Sequence, residues 1–200
     1  LKAYSETCGA VANMLWNYRL AKYYKDAKYF DVLERSLYNG YLPSHSIDGK
    51  GYFYTNPLAD RGKKRRSGWF DPPCCPTNIC RTTTSVSGYT YLTDKDGIYV
   101  NLFMPSESEI ELNGQVIKIK QETNYPWDGD VTLKMEMEKA SRFQMRIRIP
   151  GWAREEPIPL SLYRYMKKGN PDFTIKINGT EYKAILDKGY AVIDEKWQSA

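Results

Sequence analysis

Two hundred residues, 26% of them charged and 42% apolar, have the balance of a soluble globular chain with enough material for one large domain or two small ones. No stretch approaches the ~18 consecutive apolar residues that cross a bilayer as a helix, and no signal peptide is visible in a chain that opens on Leu1 rather than Met. The net charge of +5 gathers largely in Arg61-Gly62-Lys63-Lys64-Arg65-Arg66 instead of spreading along a helix face or between stacking aromatics, which argues against a nucleic-acid binder. That stretch reads as an exposed loop or as a contact for an anionic substrate such as an acidic sugar. Seventeen tyrosines and five tryptophans suit a sugar-binding surface, although most of them serve as amphipathic core and rim residues.

Ser5 is a candidate N-cap for a helix reaching about Tyr23. Cys8, Val11, Ala12, Leu15 and Arg19 recur at three- and four-residue spacing and define its buried face. Glu6 and Cys8 fall in its first turn, where the helix dipole favours a carboxylate or a thiolate. A second helix, capped near Asp26, carries Phe30, Leu33 and Leu37 on one face and ends at Gly40, giving an antiparallel helical hairpin. His45, the single histidine, is expected at the surface. Asp48-Gly49-Lys50-Gly51 is a turn leading into a short strand over 51–58.

Next comes Trp69-Phe70, followed by Asp71-Pro72-Pro73-Cys74-Cys75-Pro76-Thr77-Asn78. Adjacent thiols rarely bridge each other, and the prolines are expected to hold this backbone in a rigid, non-helical loop. Two thiolates presented on one side make half of a metal site. Cys8 and Glu6 can supply the other half, so a zinc site of three cysteines and one glutamate is the first expectation. Cys80 reads as helix packing. A third helix is expected from Asn78 to about Tyr91, weakened by Thr82-Thr83-Thr84.

Near Thr93 the hydrophobic period changes from 3.6 to 2. Ile98, Val100 and Leu102 alternate with Tyr99, Asn101 and Phe103. Ile110 and Leu112 lead through Asn113-Gly114 to Ile117 and Ile119, a hairpin signature. Val131 to Met137 and Phe143 to Ile149 alternate in the same way. After a loop with Pro157, Pro159 and Pro171, a further Asn178-Gly179 turn precedes strands through Ile193. The expected fold is α+β multidomain: residues 1–92 as the end of a helical domain and 93–200 as an antiparallel β-sandwich. Both ends are abrupt, so the chain reads as an internal fragment with a truncated sandwich.

Glu6-Thr7-Cys8, Tyr54-Thr55-Asn56-Pro57-Leu58, Trp69-Phe70, Cys74-Cys75-Pro76-Thr77-Asn78 and Arg81 together are similar to motifs of one known family. So are Ile98-Tyr99-Val100-Asn101-Leu102-Phe103 and Ile147-Arg148-Ile149-Pro150-Gly151-Trp152. Over essentially its whole length the chain resembles the glycoside hydrolase family 127 β-L-arabinofuranosidases. The resemblance implies the C-terminal helices of an (α/α)6 catalytic barrel in residues 1–92, followed by the β-sandwich. It implies a Zn2+ ion held by Glu6, Cys8, Cys74 and Cys75, with Cys74 as the nucleophile of a retaining glycosidase. The acid/base glutamate of that family lies upstream of the Glu-x-Cys motif, at a position preceding Leu1, and so is not in this chain. Pro72 stands where many members have a further cysteine, and Thr77 replaces the second proline of Cys-Cys-Pro-Pro-Asn.

The implied partner is a carbohydrate, a plant cell-wall arabinofuranoside or a pectic sugar, with Trp69 and Arg66 as candidate substrate contacts. Neither nucleic acid nor membrane is an expected partner, and a homodimer is admitted. The expected setting is a soluble bacterial protein of the cytoplasm or periplasm. By itself the fragment is expected to be inactive. Two other classes fit the same residues. One is a non-catalytic relative with a closed structural zinc site, and the other is a β-sandwich carbohydrate-binding module. A reactive Cys74 marks the glycosidase, four inert ligands mark the structural site, and zinc-independent sugar binding marks the module.

Overall fold

Helix α1 (Thr7–Tyr24) buries Thr7, Val11, Met14, Asn17 and Ala21, a stripe at three- and four-residue spacing. The stripe is rotated from the expected one: Met14 is buried, whereas Leu15 and Ala12 face outward. Apolar residues surround this helix on several sides, so more than one stripe satisfies the period. Its two buried polar residues are satisfied locally. Thr7 Oγ1 donates to the Phe53 carbonyl at 2.7 Å, and Asn17 Nδ2 donates to the Asn13 carbonyl at 2.9 Å. Ser5 does not cap the helix; its hydroxyl donates to the Asn56 carbonyl, and Glu6 takes the N-cap position in an extended conformation. Lys25 closes the other end in the left-handed region, donating its N–H to the Ala21 carbonyl.

These coordinates come from a computed structural model that describes residues 3–159, 162–167 and 173–199. Pro171, expected in a loop, lies outside the described residues. Helix α2 (Lys28–Ser36) buries Phe30 and Leu33. The chain does not stop at Gly40 but runs on through a π-helical turn, Leu37–Tyr41, and a 3₁₀ turn, Leu42–Ser44. Gly40 allows the close approach of this turn to α1, because a Cβ built there would lie 2.7 Å from that of Ala10. His45 is half-buried rather than at the surface, its ring 5.4 Å from that of Tyr41 and its Nδ1 enclosed without a hydrogen-bond partner among the described residues.

The expected strand over 51–58 is reduced to isolated bridges, Glu6 with Thr55 and Tyr52 with both His45 and Ser67. Helix α3 (Cys74–Thr83) corrects two expectations. It starts at the cysteine pair, which therefore heads a helix instead of sitting in a loop, and it ends well before Tyr91. Proline is tolerated in the first helical turn because the N–H it lacks would be unpaired there, so Pro76 does not block the start. At the other end Thr83, Thr84 and Ser85 hydroxyls donate back to the Ile79 and Arg81 carbonyls, an alternative to continuing the helix. Cys80 is exposed on α3 and does not pack as expected.

The chain divides into two compact units, Leu1–Gly88 with Glu156–Met166, and Tyr89–Glu155 with Lys167–Ala200. The short return segment is held in the helical unit by the Arg35 guanidinium, which donates to the Pro157 carbonyl.

The second unit contains strands β1 (Tyr91–Thr93), β2 (Gly97–Val100), β3 (Ser106–Leu112), β4 (Gln115–Thr123), β5 (Val131–Met137) and β6 (Ser141–Arg148). It continues with β7 (Lys176–Ile177), β8 (Thr180–Glu181), β9 (Ile185–Asp187) and β10 (Tyr190–Trp197). They form a five-stranded sheet in the order β1-β2-β6-β10-β9, a three-stranded sheet β3-β4-β5 and the hairpin β7-β8. Asn113-Gly114 and Asn178-Gly179 both adopt positive φ at the expected hairpin turns. Ile98 and Val100 of β2, Leu112 of β3, Ile117 and Ile119 of β4, Phe143 and Met145 of β6 and Ile193 of β10 share one buried cluster, so the two larger sheets have a common core.

Among the described residues pairing departs from a wholly antiparallel scheme at one place, where β2 runs parallel to β6 with Ile98 opposite Met145. Alternation along a strand specifies which face is buried but not which way its neighbour runs. Among the described residues no helix is long and apolar enough to cross a membrane.

Candidate metal centre

The entry to α1 is clamped by the extended segment 53–56. The Thr7 N–H donates to the Tyr54 carbonyl at 2.9 Å, and the Asn56 N–H donates to the Ser5 carbonyl at 2.9 Å. Asn56 Nδ2 adds bonds of 3.1 Å to Thr7 Oγ1 and to the Gly40 carbonyl, tying the start of α1 to the π-helical turn. Glu6 is thereby fixed just outside the first turn, with its carboxylate available. Cys8 follows inside that turn. Cys74 and Cys75 open α3, so the positive ends of two helix dipoles converge on one cluster of anionic groups.

Four donor atoms meet there. The Cys8 and Cys75 sulfurs are 3.4 Å apart and those of Cys74 and Cys75 3.8 Å apart, while Glu6 Oε1 lies 3.7 Å from Cys74 Sγ and 3.9 Å from Cys75 Sγ. All four ligand atoms lie within 4.8 Å of one another. A tetrahedral zinc with bonds of about 2.3 Å to sulfur and about 2.0 Å to oxygen sets ligand atoms about 3.5–3.8 Å apart. The donor set and its spacing therefore fit that ion, and no cysteine of the chain is in a disulfide.

Burial pushes the Cys75 thiol well up, with the neighbouring Cys8 thiol adding to it. Burial also raises Cys8, opposed by the hydrogen bond from Asn78. A cation at the centre reverses this preference, since a coordinated thiol is deprotonated. Tyr54 is also pushed up, chiefly by Tyr4 and then by Cys74.

Glu6, Cys8, Cys74 and Cys75 are thus brought together as the sequence predicts. Trp69 stands exposed. Arg66 is exposed as well; its guanidinium lies 4.6 Å from the Phe53 ring centroid and donates to the Pro43 carbonyl at 2.6 Å. Two residues with contacts to the cluster received no role from the sequence. Asn78 Nδ2 donates to Cys8 Sγ at 3.2 Å, and the Tyr54 carbonyl lies 3.7 Å from Cys75 Sγ. The spacing of Asn78, four residues after Cys74, would have pointed to it had the pair been read as helical.

A family model described as the β-L-arabinofuranosidase GH127 catalytic domain matches residues 1–88, and that of the GH127 middle domain matches residues 97–200. The chain belongs to glycoside hydrolase family 127. A non-reducing end β-L-arabinofuranosidase of Bifidobacterium longum subsp. longum is 30% identical over 207 residues, covering 95% of this chain and 28% of that protein. A solved GH127 β-arabinofuranosidase superposes with a TM-score of 0.94 at 43% identity, covering 100% of this chain and 31% of the other. The GH127 β-L-arabinofuranosidase of Geobacillus stearothermophilus T6 gives 0.85 at 38% identity, covering 98% of this chain and 30% of the other. The family 127 chain described here therefore spans less than a third of the length of these relatives.

Proposed function

We propose that the protein to which this chain belongs is a retaining glycoside hydrolase that removes β-L-arabinofuranosyl or related plant-glycan residues, with Cys74 as its nucleophile. The observation that carries this reading is the convergence of Glu6, Cys8, Cys74 and Cys75 within 4.8 Å in a chain of this family. These four residues would hold zinc, whose charge keeps the thiols ionised at neutral pH. In the first step the Cys74 sulfur attacks the anomeric carbon, the C–S bond forms, and the glycosidic C–O bond breaks as the leaving oxygen takes a proton. In the second step water attacks the same carbon, the C–S bond breaks, and the water proton passes to the group that gave the first.

That acid/base group is, by resemblance, a glutamate ahead of Leu1. Cys74 is favoured over its neighbour by access: it is half-buried, whereas Cys75 is 0% exposed. Trp69 and Arg66 are candidate contacts for the sugar. The same reading assigns residues 1–92 to an (α/α)6 barrel and 93–200 to a β-sandwich.

Mass spectrometry of the full-length protein treated with an arabinofuranosyl electrophile tests the assignment. Label is expected on Cys74, and label on Cys75 instead would reverse the two roles. Protein purified without added metal is expected to carry one zinc per chain, lost in a Cys8→Ala, Cys75→Ala double variant. One observation favours a second reading, a structural zinc: the four protein donors would by themselves fill a tetrahedral site and leave no open position. Under that reading Cys74 takes no label although zinc is bound.

A further inference from the structure

We infer that Asn78 is a positioning residue of the thiolate cluster, holding Cys8 as the fixed ligand and leaving Cys74 as the sulfur free to move toward a sugar. This rests on the functional reading above, which names Cys74 as the nucleophile, and adds to it a role for Asn78 and Cys8.

Asn78 lies on α3 four residues after Cys74 and three after Cys75, which puts its side chain on the helix face that carries the thiols. From there its Nδ2 reaches across to α1 and donates to Cys8 Sγ at 3.2 Å. The orientation of the amide is set from the other side. Arg81 Nη1 lies 3.5 Å from Asn78 Oδ1, and a guanidinium can only donate. The carbonyl oxygen must face Arg81, so the NH2 group faces the sulfur.

Cys74 has a different environment. Among the described residues its sulfur is flanked by Glu6 Oε1 at 3.7 Å and Cys75 Sγ at 3.8 Å, and its hydrogen-bond donor is the Tyr54 hydroxyl instead of an amide. An N–H donor withdraws electron density from a thiolate, lowering its nucleophilicity and fixing its direction. The donor at Cys74 is a phenol O–H, which can turn about its C–O bond and follow a moving sulfur, whereas the Asn78 amide is held by Arg81. Partners of this kind behind metal ligands typically change metal affinity or activity by about 10–100-fold.

The test uses the full-length protein and an Asn78→Ala variant. Zinc affinity by chelator competition is expected to fall about 10–100-fold in the variant. In the cobalt-substituted protein the thiolate-to-metal charge-transfer band is expected to move to longer wavelength, because the Cys8 thiolate becomes more electron-rich. Iodoacetamide mapping of the zinc form is expected to modify Cys74 in the wild type, and Cys8 as well in Asn78→Ala.

A general loss of packing would instead expose Cys75, which separates a collapsed site from a re-tuned one. An exposed substitution that leaves the cluster intact, Arg81→Ala, is expected to give the same changes to a smaller degree. If Asn78→Ala does not fold, Arg81→Ala decides alone. A wild type that binds zinc, with variants that match it in affinity, band position and Cys8 protection, overturns the inference and leaves the functional reading standing. A wild type that binds no metal overturns both.

Discussion

Burial separates chemically identical groups at the scale of single residues. Among the phenols, Tyr99 donates to Asp94 Oδ2 at 2.7 Å, and burial followed by that bond pushes its ionisation well above the usual tyrosine range. Burial does the same to Tyr91 and Tyr41, and at Tyr41 the Thr83 hydroxyl, 2.5 Å away, opposes it. A raised folded value means that the native chain holds these protons more tightly than the unfolded chain. Their contribution to stability is therefore complete below the unfolded value of 10.0 and is lost as pH rises through and above it. Thermal unfolding of the metal-loaded chain followed from about pH 8 to about pH 11 is expected to show the midpoint falling above about pH 10, with a shallower fall in a Tyr99→Phe variant. An equal fall in the variant would remove Tyr99 from the account.

The members of the Glu6, Cys8, Cys74 and Cys75 cluster were legible in the sequence at this scale, because cysteine is scarce here and an adjacent pair between prolines has few structural uses. Asn78 was not, since a neutral amide has many roles and only its helical spacing from Cys74 singles it out.

Whole elements turn on backbone approach, which side-chain patterns report poorly. The prolines around the cysteine pair suggested a loop, yet proline in a first helical turn is compatible with a helix, and α3 starts at Cys74 itself. The alternation of β2 and β6 announced two buried strands but not that they run parallel. Glycine marks both close approaches. A Cβ on Gly97 would lie 1.9 Å from the Gln144 carbonyl oxygen, against backbone that cannot yield cheaply. At Gly40 the neighbour is the Cβ of Ala10, two residues beyond Cys8.

Overpacking of this kind costs about 1–3 kcal/mol, and more where backbone must move. Gly97→Ala is therefore expected to lower the unfolding midpoint while leaving zinc content unchanged. Gly40→Val is expected to lower both stability and zinc affinity, because displacing α1 carries Cys8 with it. Calorimetry paired with metal analysis checks both, and zinc loss in Gly97→Ala with retention in Gly40→Val would contradict this account.

Over the whole molecule, metal binding and turnover are expected to part company. All four donors lie within residues 1–200, whereas the chain covers 31% or less of the length of the relatives compared by structure above. General-acid assistance is worth about 10²–10⁴-fold in rate, and the carboxyl group that would supply it is placed by resemblance ahead of Leu1. Residues 1–200 alone are expected to bind zinc and to hydrolyse an aryl β-L-arabinofuranoside at least ~10²-fold more slowly than the full-length protein. Comparable turnover would mean that a residue of this chain supplies the proton.

The change from helical to strand period was the clearest large-scale signal in the sequence. The return of Glu156–Met166 to the helical unit left no such mark, because a proline-bearing loop carries no period to read.

That return has a consequence for inheritance. The polypeptide passes between the two units after Gly88, after Glu155 and again after Met166, so they are threaded through one another in gene order. The gap between the two matched family segments, from residue 88 to residue 97, looks like a seam at which recombination could exchange one half for another. A crossover there would bring a foreign Pro157 segment to the Arg35 guanidinium that holds it. The halves are therefore poor cassettes: whatever lineage supplies the helices must also supply a strip of the downstream gene.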